Sequence, residues 1–221
     1  EKTNFANWFT YYRDRDRTVT AAVSQVVGNS SARMGMATLW HNNSVGKEVK
    51  DMTVPANKND ILNDIAKIRP GGGTPLRTRL DWVGQYFDKE TTTTPTGLNI
   101  GNPGSPILDV AHGGECQQNF VMMMSDGLRN GTAVGLNEAQ VGDKVVDDEF
   151  VYPAHRDNFN EMLADVAMKW YRKDLDTNLA NKVPMQTGDN TQNLDDINQQ
   201  HLVTFTVAFG LSDTFTNPVD R

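Results

Sequence analysis

The chain has 221 residues, 38% of them hydrophobic, and 21 Lys and Arg stand against 28 Asp and Glu for a net charge of −7. That length suits one large domain with insertions. The acidic balance, without a basic stripe that could release phosphate counterions, argues against nucleic-acid binding. No apolar run reaches the roughly 18 residues that span a bilayer, and the start, EKTNFANWF, lacks both the basic and the apolar part of a signal peptide. The single Cys116 excludes an internal disulfide framework and a multi-cysteine zinc site, and leaves open a partner outside this sequence.

Phe5, Trp8, Phe9, Tyr12, Val19, Val23, Val26 and Val27 fall mostly three or four apart, which predicts one long amphipathic helix. Thr3 or Asn4 is placed to cap it and Gly28 to end it. The short segment Ala32 to Trp40, rich in Met and Leu, reads as a strand, and a weaker strand is expected between Val45 and Val54. Asp60 can cap a short helix in which Ile61, Ile65 and Ile68 share a face, stopped by Pro70 and three glycines. In the next helix Thr74 stands at the N-cap, Pro75 at the first helical position, and Leu76, Leu80, Val83 and Phe87 form the buried face. The run FVMMM within Asn119 to Met124 predicts a strand covered on both faces, central in a parallel sheet. Asp157 can cap a helix carrying Phe159, Leu163, Val166 and Trp170, and Leu202 to Phe209 is the last strand.

Alternation of helices and strands implies an α/β domain of three layers with right-handed crossovers. Such a domain ordinarily opens on a strand feeding its first helix, whereas this sequence begins on the helix, so a strand is expected upstream or from another segment. Residues 89–118, 128–156 and 174–201 are long connections, rich in Thr, Asn, Gly, Asp and Pro, that read as irregular insertions in a single domain over 1–221.

Two positions carry chemistry. Asp126 directly follows the apolar strand, at the carboxyl end where open α/β sheets place their ligands. Thr74, in GGGTPL, puts a hydroxyl at a helix start. A carboxylate and a hydroxyl are oxygen ligands for a hard cation such as Mg²⁺, which keeps several waters. Each also has a plain role, Thr74 as an N-cap and Asp126 as a turn residue in SDG. The four histidines are scattered without ligand spacing, and neither a GxSxG elbow nor a phosphate-loop Lys is present. No general base, nucleophile or second carboxylate can be set beside Asp126, which disfavours a Mg²⁺-dependent hydrolase.

Read in order, NFANWFTYYRDR, GGGTPLRTRLDWVGQYF, CQQNFVMMMSDG, HRDNFNEMLADVAMKWYRKDL and QQHLVTFTVAFG resemble the von Willebrand factor A-type domain of the PilC/PilY family. These are large bacterial proteins associated with the tip of type IV pili. The resemblance implies a doubly wound, Rossmann-like sheet and a metal-ion-dependent adhesion site, in which three loops at one sheet edge hold Mg²⁺ and the ion's free position takes a partner's carboxylate. Thr74 matches the threonine of the second loop and Asp126 the aspartate of the third. The DxSxS of the first loop, which follows the first strand, does not occur in this sequence, in agreement with the strand expected upstream. The resemblance further implies export to the pilus tip or cell surface and roles in adhesion and in pilus assembly or retraction. Minor pilins, a host or surface ligand and an upstream segment of the same protein are its implied partners. In that oxidising setting Cys116 could pair with an upstream cysteine. The reading that follows is a non-enzymatic adhesion and assembly domain; a purely structural domain that docks pilins, without a working metal site, is the alternative.

Overall fold

Apolar spacing decides where the helices lie, and the backbone decides where they start. The computed structural model describes residues 1–11, 14–40, 45–69, 71–125, 130–131, 134–136, 161–185 and 197–208. The expected first helix is two: α1 (Lys2–Tyr11) and α2 (Arg15–Asn29). They are separate because Asp14 is extended, at φ −121° and ψ 154°, and acts as the N-cap of α2, its carbonyl taking the Thr18 N–H at 3.0 Å. Thr3 and Asn4 lie inside α1 rather than before it.

The two short strands are β1 (Arg33–Ala37) and β2 (Gly46–Asp51), an antiparallel pair with a register shift between Met34 and Met36. Helix α3 (Pro55–Ile65) starts five residues before Asp60, since Pro55 occupies the first helical position, where its missing N–H costs nothing. Ile61 and Ile65 are buried as expected. With Val27 and Met52 they form a small core, against which Met34 and Met36 pack from β1.

The larger core gathers around α4 (Leu76–Phe87), β3 (Asn119–Ser125), α5 (Leu163–Arg172) and β4 (Leu202–Ala208). Leu80, Phe87, Met123, Val166, Trp170 and Leu202 meet there. Strands β3 and β4 pair in parallel over their full length, from Asn119 opposite Leu202 to Ser125 opposite Ala208. A parallel pair requires a crossover, and α5 lies in it, giving a βαβ unit. Asp157, Phe159 and Phe209 lie outside the described residues; the N-cap of α5 is Met162, whose N–H donates to Asp165 Oδ2 at 2.6 Å.

β3 differs from its expected surroundings. Among the described residues it pairs with β4 only, and the two strands β1 and β3 belong to different sheets. Its faces are unequal: Asn119 and Met123 are buried, whereas Phe120 is 54% and Met122 62% exposed. The run is apolar on both faces, but α4 and α5 supply an apolar layer to one.

Residues 89–118 are irregular, as expected, with three single turns of 3₁₀ helix at Thr96–Leu98, Val110–His112 and Gly114–Cys116. They still contribute Leu98 and Ile107 to the larger core, and Leu175 and Val183 are likewise buried from the third connection. Most of 128–156 lies outside the described residues. The architecture is thus mixed, with helices and strands in open sheets compatible with an α/β domain. Among the described residues no helix is long and apolar enough to cross a membrane.

Candidate metal centre

The GGGTP segment is built by crowding. Gly72 has φ +87°, and a Cβ on it would fall 2.1 Å from the Trp40 indole. A Cβ on Gly73 would fall 2.6 Å from Asn130 Oδ1. The glycines therefore let a tryptophan and an asparagine close on the backbone leading to Thr74.

Thr74 does not cap α4. The first helical bond runs from the Arg79 N–H to the Pro75 carbonyl at 3.0 Å, so Pro75, at φ −81° and ψ 60°, is the N-cap, and it has no side-chain donor or acceptor with which to cap. Thr74 is instead clasped through its backbone. Its N–H donates to Asn130 Oδ1 at 2.7 Å, and its carbonyl accepts from the Asn130 N–H at 3.0 Å. The same carbonyl accepts from the Leu76 N–H at 2.9 Å. The Thr74 hydroxyl makes no hydrogen bond among the described residues, which leaves its oxygen as a donor for a hard cation. That fits the chemistry of a Mg²⁺ ligand.

Asp126 itself lies outside the described residues. Its neighbours on both sides are placed: Ser125 ends β3, and Asn130, four positions after Asp126, is the residue that holds Thr74. Arg77 adds a second tie, donating to the carbonyls of Gly131 at 3.0 Å and Glu161 at 2.7 Å. At Asn130 and Gly131 the connection after β3 thus reaches the start of α4. Among the described residues no three of His, Cys, Asp and Glu come together as a metal cluster. Cys116 is a free, exposed thiol.

The sequence reading did not single out Asn130, Trp40 or Arg79. Asn130 had a signal, because Asn-Gly is a strong turn dipeptide. Arg79 had none: it stands in a helix rich in polar residues and is nevertheless 3% exposed. Burial pushes its guanidinium pKa down to about 10, so it stays charged at neutral pH.

This chain is similar from end to end to the PilY1 pilus biogenesis factors. The type IV pilus biogenesis factor PilY1 of Pseudomonas aeruginosa strain PAK is 25% identical over 245 residues, covering 99% of this chain and 20% of that protein. The PilY1 of strain UCBPP-PA14 is 26% identical over 239 residues, covering 98% of this chain and 19% of that protein. The chain therefore spans about a fifth of the length of these relatives. No family model matches, and no solved structure matches. These relatives are named as type IV pilus biogenesis factors, and the likeness to them runs over nearly the whole chain.

Proposed function

We propose that the chain is a von Willebrand factor A-like adhesion and assembly domain of a type IV pilus tip protein, and that it recognises its ligand through Mg²⁺ held in part by Thr74 and Asp126. The observation that carries this reading is the clasp between Thr74 and Asn130, which ties the connection after β3 to the start of α4. A shared ion requires Asp126 to lie at the same edge as Thr74, and the tie at Asn130 supports that placement. In this reading a strand from elsewhere in the protein enters between β1 and β3, which lie in separate sheets, and the loop after it completes the ligand set. Bound Mg²⁺ would supply a Lewis-acidic position for a partner's carboxylate. The chain's own contribution is to hold the Thr74 hydroxyl fixed, with its backbone N–H and carbonyl already occupied.

The protein acts outside the cell, with minor pilins and a host or surface ligand as partners, and it binds rather than turns over. Cys116, exposed and free within this chain, is available to an upstream cysteine. The structural reading, a pilin-docking domain without a working metal site, is favoured by one observation. Phe120, Met122 and Phe205 leave an apolar sheet face exposed.

Calorimetric Mg²⁺ titration of the full-length pilus protein and its Asp126→Ala variant tests the proposal. Wild type should bind Mg²⁺ and attach to surfaces only with it, and Asp126→Ala should lose both. Undiminished Mg²⁺ binding and attachment by the variant would transfer the function to the docking face. Turnover of a phosphoester by wild type, lost in the variant, would show an enzyme instead.

A further inference from the structure

Around Pro75, next to Thr74 in the chain, the surface opens into a cavity of about 400 Å³ lined by Trp40, Pro75, Thr78, Arg79, Trp82 and Asn130. Arg79 is the unusual member. Its Nε donates to the Leu39 carbonyl and its Nη1 to the Gly97 carbonyl, and its Cζ lies over the Trp82 ring, 5.0 Å from the centroid. Its Nη2 is buried without a hydrogen-bond partner, and among the described residues no carboxylate pairs with it. A buried guanidinium compensated only by backbone carbonyls and an indole is costly. It calls for an anion.

The rest of the lining agrees. Asn130 turns its Oδ1 to the Thr74 N–H, so its Nδ2 donor is the end left for a ligand. The walls are held in place by close packing, since a Cβ on Gly72 would strike Trp40 and one on Gly97 would fall 1.9 Å from the Trp82 ring. Two indoles with one unpartnered guanidinium nitrogen and one amide donor suit a carboxylate carried on an apolar body. The volume points the same way, because a cavity of about 150 Å³ already holds a benzene ring.

We infer that the cavity is a binding site for a carboxylate borne on an aromatic or bulky apolar group, the chemistry shared by a peptide's apolar C-terminal residue and a free aryl acid. Arg79 and Asn130 hold the carboxylate, and Trp40 and Trp82 sandwich the apolar part. This site adjoins the proposed metal centre and shares Asn130 with it, but it does not rest on a bound metal.

Calorimetric titration of the full-length protein with N-acetyl-phenylalanine, its C-terminal amide and phenylacetate is the test. The acid should bind at least about tenfold more tightly than the amide. Binding confined to N-acetyl-phenylalanine assigns the site to peptide ends, and equal binding of phenylacetate assigns it to free acids; either supports the inference. Arg79→Lys should abolish binding, but Arg79 also ties Leu39 to Gly97 and its loss can disturb folding. Asn130→Asp is therefore the deciding variant: it keeps an oxygen for the Thr74 N–H and puts a carboxylate in the wall of the cavity that Arg79 also lines. It should weaken the acid at least about tenfold without lowering the Tm. Equal affinity for acid and amide, no binding of either, or unchanged affinity in Asn130→Asp would overturn the site. EDTA should leave binding unchanged. If EDTA abolishes it, the carboxylate belongs to the metal centre, which sinks this inference and strengthens the metal reading.

Discussion

The two strand pairs use apolar residues differently. In the β1–β2 hairpin, Met34 and Met36 pack toward α2 and α3, while Val49 from β2 packs toward the α4 core and its N–H donates to the Tyr86 hydroxyl oxygen at 3.0 Å. Both faces are served. In the β3–β4 pair, Met123 and Leu202 enter the α4–α5 core, while Phe120 and Phe205, with ring centroids 6.1 Å apart, meet mostly each other on an open face. β3 is more apolar than β1 or β2, yet Phe120 and Met122 on one of its faces stay exposed. Hydrophobicity along a strand states that burial would be favourable, whereas the helices that the topology delivers decide which face obtains it.

The closed side of the β3–β4 pair should be the most sensitive place to break. Asp81, buried on α4, accepts from Lys169 Nζ at 2.7 Å and Trp170 Nε1 at 3.0 Å on α5, and from Gln85 at 2.6 Å. Asp81→Ala strands a lysine charge and an indole N–H, so denaturant melts should show a loss of about 3–5 kcal/mol. Gly84→Ala would place a methyl 2.1 Å from the Trp170 ring. Forcing the α4–α5 seam apart in this way should cost about 1–3 kcal/mol by the same assay.

The two faces of β3 offer a direct contrast. Met123→Ala removes a buried side chain and should cost about 2–5 kcal/mol. On the open face, Met122→Ser should change stability by no more than about 0.5 kcal/mol. Equal losses in urea melts would mean that the open face is covered in the folded protein, and the comparison would fail.

The smallest effect is expected on the hairpin side. Hydrogen bonds from Lys67 and Lys47 hold the Asp64 carboxyl below its usual pKa, against a smaller opposing effect of burial. Because the folded pKa is the lower one, this contribution is fully present above the unfolded value of about 3.9 and is lost as pH falls through the folded value. Asp64→Asn should flatten the stability profile below about pH 4, lying slightly below wild type at pH 7, by an amount that solvent screening keeps small, and meeting it at acid pH. A variant profile parallel to wild type down to pH 2 would remove Asp64 from the account.

Much of the fold was legible because it depends on local periodicity. The face of α4 marked by Leu80 and Phe87, the strand from Asn119, and the Val166 and Trp170 face of α5 each declare themselves within a dozen residues. Helix starts were less legible, as at Thr74 and Asp60, because a residue with capping chemistry caps only where the backbone turns into the helix beside it. Of the candidate metal centre, the sequence marked Thr74 and the Asp126 position. It did not reveal Asn130, 56 residues away, as the residue that fixes Thr74.

By itself, the sequence determined the amphipathic helices, the apolar strands and the glycine-rich approach to Thr74, because turn chemistry and side-chain periodicity are properties of neighbours along the chain. Tertiary structure alone decided which face of β3 is covered, which residue meets Thr74 from across the chain, and that Arg79 is buried with no carboxylate partner among the described residues. Those outcomes depend on distant segments competing for the same space and the same hydrogen bonds, and composition carries no record of which segment arrives.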